Sequence, residues 1–273
     1  MISENKFTHI LYSGIIFLQK PPTLLIKMNS SKNIAIIVAA GKGERMQSHL
    51  PKQFLKLKNR PILWYTLIPF LKCQDISQII LAIPEPYKKN CQNDIIQPIL
   101  EKFNFINSNP PKILCINGGK RRQDSVYSGL MAIESASIVV IHDGVRPFIT
   151  EKQISSIVNQ TKKKKAVLFA IPPKDTIKKV NSKKIIVDTI ERAHTQMAQT
   201  PQAFSYDLIK RAHSYGKKNR LDVTDDSMLV EQLGEKVYTE PGHSFNIKIT
   251  TPEDLIMAKG ILEAWPIEES LLS

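Results

Sequence analysis

A run of small residues and glycines followed by spaced cations, Ala39-Ala40-Gly41-Lys42-Gly43-Glu44-Arg45-Met46 and then Pro51-Lys52-Gln53, is the stretch of this chain best suited to chemistry. Small side chains let backbone N–H groups approach an anion closely, and glycine reaches the φ > 0 turns that aim them. Arg45 and Lys52 bring full positive charge to the same place. The chemistry this fits is the binding of a nucleoside triphosphate. The stretch is not a Walker loop, since no Gly-Lys-Ser/Thr follows, and it is not the dinucleotide fingerprint Gly-x-Gly-x-x-Gly.

Two further clusters have similar character. Gly118-Gly119-Lys120-Arg121-Arg122-Gln123-Asp124-Ser125 combines paired glycines, cations and a hydroxyl, and His142-Asp143-Gly144-Val145-Arg146-Pro147 places an acid and a cation after an apolar run. The paired glycines fit close approach to a base or ribose. Ser125 can cap a helix or touch a ligand. A buried unpaired carboxylate is costly, so Asp143 should pair with Arg146 or hold a metal. Magnesium at phosphate sites is commonly held by one or two carboxylates. His142 reads as a hydrogen-bonded histidine at a strand end rather than a base.

These clusters need a scaffold that brings them together. Apolar, strand-like runs occur at residues 34–39, 79–83, 113–116, 138–141 and 166–171, and helical patterns separate them at 62–71, 86–103, 121–133 and from 154 onward. Such alternation predicts a doubly wound α/β sheet, mostly parallel and Rossmann-like, covered by helices on both faces. Ligands of such sheets bind outside the carboxyl ends of the strands, where all three clusters fall. Residues 172–199 break the pattern with Pro172-Pro173 and charge clusters around Ile185-Ile186-Val187, which predicts a protruding β-hairpin arm. Strand 203–206, helices from 207 and after 223, and strands 236–238 and 244–249 complete the reading. Thr251-Pro252-Glu253-Asp254 is a strong helix start, with a Thr cap, Pro in the first turn and acids beside it.

The chain has 273 residues, enough for one large core, and a formal charge of +13. Scattered lysines such as Lys162-Lys163-Lys164-Lys165 account for most of that excess. Aromatic–basic interleaving and helix-turn-helix patterning are missing, which argues against a nucleic-acid partner. Three widely spaced cysteines, Cys73, Cys91 and Cys115, fit neither a disulfide framework nor a zinc site and suit a cytoplasmic, reducing compartment. No stretch has the length and apolarity of a membrane span. Residues 1–30 read as an N-terminal extension outside the fold, leaving 31–273 as a single domain with its arm at about 173–199.

With Gly118-Gly119, Arg122-x-Asp-Ser125, His142-Asp143-x-x-Arg146-Pro147, Asp175-Thr176-x-Lys178, Thr200-Pro201-Gln202, Thr224-Asp225-Asp226 and Asn246-Ile247-Lys248-Ile249-Thr250-x-Pro-Glu-Asp-Leu255 added to the first motif, residues 33–262 resemble the 2-C-methyl-D-erythritol 4-phosphate cytidylyltransferase family. The resemblance implies transfer of CMP from CTP to a sugar-alcohol phosphate, with Mg²⁺, by a homodimer whose arms interlock. It implies that Ala39, Ala40, Gly41, Gly119 and Ser125 bind CTP. Arg45, Lys52 and Lys248 would carry catalysis. Asp143, Gly144, Arg146, Thr200 and Thr224 would face the alcohol phosphate, with Thr176 and Arg192 reaching it from the partner's arm. Two positions depart from the family's habit: Lys120 follows the glycine pair where an acid is common, and Gly144-Val145 replaces a small Ala pair. The nearest alternative is a ribitol 5-phosphate cytidylyltransferase, and one of another class is a non-catalytic nucleotide- or nucleic-acid-binding protein.

Overall fold

The computed structural model describes residues 32–264 apart from 42, 47 and 104–109, so the expected extension at 1–30 lies outside the described residues. The strands are β1 (Asn33–Val38), β2 (Lys56–Leu57), β3 (Arg60–Pro61), β4 (Gln78–Ile83), β5 (Lys112–Asn117), β6 (Ile138–Asp143), β7 (Ala166–Ile171), β8 (Ile177–Val180), β9 (Ile186–Ile190), β10 (Met197–Ser205) and β11 (Tyr238–Pro241). The helices are α1 (Ile62–Lys72), α2 (Lys88–Cys91), α3 (Gln97–Phe103), α4 (Arg122–Met131), α5 (Glu151–Lys164), α6 (Tyr206–Lys218), α7 (Asp226–Glu231) and α8 (Pro252–Ala264).

Seven strands form one sheet in the order β11-β7-β10-β6-β1-β4-β5. Every neighbouring pair is parallel except those of β10, which runs antiparallel to β6 and β7. The central strands are apolar on both faces because helices cover both. Ala35 and Ile37 of β1 pack with Leu63, Phe70 and Ile154 of α1 and α5 on one side. Ile34 and Ile36 pack with Val126, Leu130, Ile209 and Leu229 of α4, α6 and α7 on the other. A mostly parallel, doubly wound architecture is thus what the alternation predicted.

Two local differences have physical causes. The helix expected over 86–103 is broken into a 3₁₀ turn, α2, a π-helical stretch (Gln92–Ile96) and α3. That widening buries Ile95, Ile96 and Cys91 together, whereas a regular period would rotate one of them outward. The expected strand at 244–249 is an irregular segment pinned by a side-chain bond, Asn246 Nδ2 donating to Thr200 O (2.8 Å), and a backbone bond, Ile249 N donating to Val145 O (2.9 Å). The predicted arm is present as the antiparallel pair β8–β9, paired outside the main sheet. The start of α8 follows the expected chemistry, with Asp254 N donating to Thr251 Oγ1 and Asp254 Oδ2 accepting from Thr250 N and Thr251 N.

Candidate active site

The strand ends β1, β5 and β6 converge on a cleft of about 170 Å³. Its walls include Ala39, Ala40, Gly41, Lys52, Gly119, Ser125, Asp143 and Lys248, eight of the residues singled out from the sequence. Lys120, Arg121, Arg122 and Val145 line it as well.

Local packing explains how each wall is held. Gly43 turns at φ 72°, and a Cβ there would press on the Lys52 side chain at 3.2 Å, so the glycine lets the loop fold beneath Lys52. Gln53 is fully buried and donates to Ala39 O, tying the Lys52 turn to the end of β1. A Cβ on Gly118 would lie 2.0 Å from Ala40 Cβ, so only glycine lets these two loops meet. Ser125 Oγ accepts from Gly119 N (3.0 Å) and donates to Arg121 O (3.2 Å); it fastens the glycine loop to α4, whose N-cap is Arg121.

Asp143 is the electrostatic centre. Its Oδ1 accepts from Arg122 Nε (2.9 Å), and its Oδ2 pairs with Lys248 Nζ (2.9 Å) and Arg146 Nε (3.3 Å). Burial alone would raise this carboxyl's pKa; Arg122, Lys248 and Arg146 together outweigh burial and hold it well below the usual carboxylate range. The expected pairing with Arg146 is present, with two further cations beside it. Arg122 also reaches Asp226 Oδ2 (2.7 Å), and Asp226 Oδ1 meets His213 Nε2 (3.0 Å). Burial works against the Arg122 charge, but Asp226 and Asp143 raise its pKa regardless.

Lys52 stands in the opposite condition. Burial and then the Lys248 cation lower its pKa, with Asp143 only partly opposing them. Two ammonium groups are therefore held close with too little negative charge between them. An anion such as a phosphate would relieve that repulsion.

Several residues expected to face a ligand also serve as internal supports. Thr200 Oγ1 accepts from Asp143 N (3.1 Å) and donates to His142 Nδ1 (3.0 Å), while His142 Nε2 donates to Arg146 O (3.0 Å). The carbonyl can only accept, so His142 must be the neutral Nε2–H tautomer. It is the satisfied strand-end histidine that its position implied. Arg146 is committed to Asp143 and to Asn246 O (2.7 Å). Gly144 packs beneath the loop: its N–H donates to Val38 O (2.8 Å), and a Cβ there would meet Ala39 Cβ at 2.7 Å. Arg146, Thr200 and Gly144 shape the cleft without lining it.

Arg45 is exposed on a 3₁₀ turn and acts on Lys52 through its charge. Thr224 is exposed, with Oγ1 3.7 Å from Met228 Sδ, outside the residues that line the cleft. Thr176 and Arg192 lie exposed on the arm, where Arg192 Nη1 donates to Lys174 O (3.0 Å). Arg122 is the residue that motif reading left without a role. Its signal was the Arg-x-Asp-Ser spacing, but the partners that define its function lie far away in sequence.

Burial pushes His142 down to about 4, against a smaller opposing pull from its bond to Arg146 O. The folded pKa is therefore below the unfolded value of ~6.5. The neutral ring contributes fully above ~6.5, and its contribution is lost as pH falls toward 4, by roughly 3 kcal/mol in all. Urea denaturation across that interval should show this slope, and His142→Gln should flatten it.

A mostly parallel doubly wound sheet whose strand ends carry a glycine-bordered cleft ringed by lysine and arginine is the scaffold of a nucleotidyltransferase. A family model described as 2-C-methyl-D-erythritol 4-phosphate cytidylyltransferase matches residues 33–264. Curated relatives of that name include one from Clostridium perfringens (strain SM101 / Type A), 45% identical over 228 residues, covering 84% of this chain and 97% of the relative. Another, from Clostridium botulinum (strain Eklund 17B / Type B), is 42% identical over 225 residues, covering 82% and 96%. Among solved structures, the 4-diphosphocytidyl-2C-methyl-D-erythritol synthase of Anaerococcus prevotii DSM 20548 superposes with a TM-score of 0.72 at 34% identity, covering 86% of this chain and 100% of that one. The 2-C-methyl-D-erythritol 4-phosphate cytidylyltransferase of Francisella tularensis gives 0.68 at 31% identity, covering 84% and 99%. The chain belongs to the 2-C-methyl-D-erythritol 4-phosphate cytidylyltransferase family.

Proposed function

We propose that this protein transfers CMP from CTP to 2-C-methyl-D-erythritol 4-phosphate, releasing pyrophosphate, a step of isoprenoid biosynthesis. The observation that carries the reading is the pairing of Lys52 and Lys248 across a cleft floored by the Ala39–Gly41 backbone. Both reactants are anions. The attacking oxygen belongs to a phosphate that is already ionised, so no side-chain nucleophile is needed, and positioning with charge stabilisation dominates. A phosphate oxygen of the alcohol phosphate forms a bond to the α-phosphorus as the bond to pyrophosphate breaks. Lys52 and Lys248 flank that phosphorus and Arg45 meets the leaving group. Asp143 orients Lys248 and presents a carboxylate to the alcohol, while Arg146 and Thr200 hold Asp143 in place.

The cleft is too small to enclose a whole nucleotide beside a sugar phosphate, since ligand pockets commonly span about 300–1,000 Å³. The triphosphate would therefore extend beyond it, toward Arg121, which lines the cleft, and Arg45, whose charge is felt by Lys52. Both oxygens of Asp143 are engaged by three cations, so this carboxylate does not fit the direct magnesium ligand that the sequence suggested. No group of three or more metal-ligating side chains occurs among the described residues. Mg²⁺ fits better as an ion that the nucleotide brings on its own phosphate oxygens.

The arm supports the homodimer reading. Val180, Ile185, Ile186 and Val187 are each more than half exposed in the single chain, a patch suited to a second copy. Exchange of arms would carry Thr176 and Arg192 to the neighbouring cleft. Three free cysteines fit the cytoplasmic reading, and no helix of the described residues is long and apolar enough to cross a membrane.

The test is pyrophosphate release from CTP and Mg²⁺ with methylerythritol phosphate or ribitol 5-phosphate. Turnover with the first and little with the second is expected; release with neither would return the non-catalytic reading. In the same assay Gly118→Ala should raise the KM for CTP by about tenfold, because the added methyl separates the two loops that position the nucleotide.

A further inference from the structure

Lys248 sits on the irregular segment 244–249, which has no strand ladder to hold it. The few bonds on either side of it therefore decide where its ammonium stands. On one side, Ile249 is fully buried and its N–H donates to Val145 O (2.9 Å), which ties the segment to the loop after Asp143. Lys248 Nζ then meets Asp143 Oδ2 at 2.9 Å. On the other side the bonds end on one atom. Asp254 Oδ2 accepts from Thr250 N (2.8 Å), Thr250 Oγ1 (2.8 Å) and Thr251 N (2.9 Å).

The helix start accounts for only part of this. In a capping box, the cap hydroxyl accepts from the third helical N–H, and the side chain of that third residue accepts from the cap N–H. Thr251 and Asp254 form that pair, with Asp254 N donating to Thr251 Oγ1 (3.3 Å). The two bonds from Thr250 lie outside α8, which begins at Pro252, and satisfy none of its first-turn N–H groups. They fix the residue two positions after Lys248 instead. Burial would raise the Asp254 carboxyl, but the bonds from Thr250 and Thr251 outweigh it and hold it below its usual range. The carboxylate is thus ionised, and all three bonds to it are charge-assisted. Asp254 does not line the cleft, yet it stands close enough for its charge to support the Lys52 ammonium.

We infer that Asp254 is a positioning residue of the transfer site, which holds the Lys248 segment in place through Thr250 in addition to capping α8. The inference rests on the proposed transfer for the task given to Lys248. Held at Val145 on one side and at Asp254 on the other, the Lys248 backbone has little room to shift, and its ammonium stays beside Asp143. Without the Asp254 carboxylate, Thr250 loses both bonds, and the segment keeps only its buried end.

The test compares pyrophosphate release, thermal melts and amide hydrogen exchange in the full chain and its variants. Asp254→Ala should lower kcat by roughly 10–100-fold and move the KM for CTP by less than about threefold, because Lys248 is displaced while the Ala39–Gly41 loop stays. Thr251→Ala is the control. It removes the cap hydroxyl but keeps both bonds from Thr250, so it should lower the melting temperature while holding kcat within about twofold. Asp254→Asn should recover most of the lost kcat, since its amide oxygen still accepts from Thr250 N and Thr251 N. Exchange of the Ile249 amide should quicken by about tenfold or more in Asp254→Ala and stay as in the parent in Thr251→Ala, which reads the hold on the segment whatever the substrate. A parent that releases no pyrophosphate would sink the transfer itself, and Ile249 exchange would still decide this inference. Parent-like kcat in Asp254→Ala, an equal loss of kcat in Thr251→Ala, or unchanged Ile249 exchange in Asp254→Ala would each overturn it.

Discussion

Replacing Lys52 or Lys248 by alanine is expected to leave a folded protein that has lost about a hundredfold or more in turnover, near 3 kcal/mol of transition-state stabilisation each. In the proposed transfer both ammonium groups, which line the cleft, would flank the α-phosphorus where negative charge grows. Lys52 is depressed in the free protein by burial and then by Lys248, so an α-phosphate between them relieves a repulsion that is already present. Folding should survive. Lys248→Ala leaves Asp143 with Arg122 and Arg146, and Lys52 lies on a short turn whose fixed point is the neighbouring Gln53. Loss of a contact made mainly in the transition state lowers kcat more than it raises KM. Pyrophosphate release and thermal melts on the same samples separate the two effects. Turnover near that of the parent in either variant would remove that lysine from the α-phosphate.

The order of strands and helices was legible because buried strands read as continuous apolar runs, and each helix between them has a turn signal at its ends. The location of the cleft was legible too, since a doubly wound sheet binds at its strand ends and the glycines and cations cluster there. The direction of individual side chains was not. Thr200 and Arg146 belong to motifs rich in polar residues, yet both turn inward to complete the hydrogen bonds of Asp143 and His142. The segment 244–249 has an apolar, strand-like composition, but its hydrogen bonds go to Thr200 and Val145 rather than into a ladder. Arg122 was hidden for a related reason: its carboxylate partners lie 21 and 104 positions away, and no local periodicity encodes a pairing at that separation.

That hidden arginine carries the largest expected structural effect. Arg122→Met should destabilise the protein by about 3–5 kcal/mol at neutral pH, because removing one member of a buried ionic cluster leaves the others uncompensated. Asp226, 1% exposed, would keep only His213, and Asp143 would lose its Oδ1 partner. The pH dependence distinguishes this from a simple packing defect. In the parent, both carboxyls are held below their usual range despite burial. Their contribution is therefore present above an unfolded value of ~3.9 and is lost only as pH falls through the lower folded values. Without Arg122, burial is no longer outweighed at Asp226, its folded pKa rises, and protonation relieves the variant as pH falls. The stability gap between parent and variant should narrow in acid. Arg122→Lys should recover only part of the loss, since one ammonium cannot span two carboxylates as a guanidinium fork does. Urea denaturation of the three proteins at neutral and acid pH reads these differences directly. A gap that stays constant with pH, or full recovery by lysine, would show that Arg122 acts by bulk alone and not as the bridge between Asp143 and Asp226.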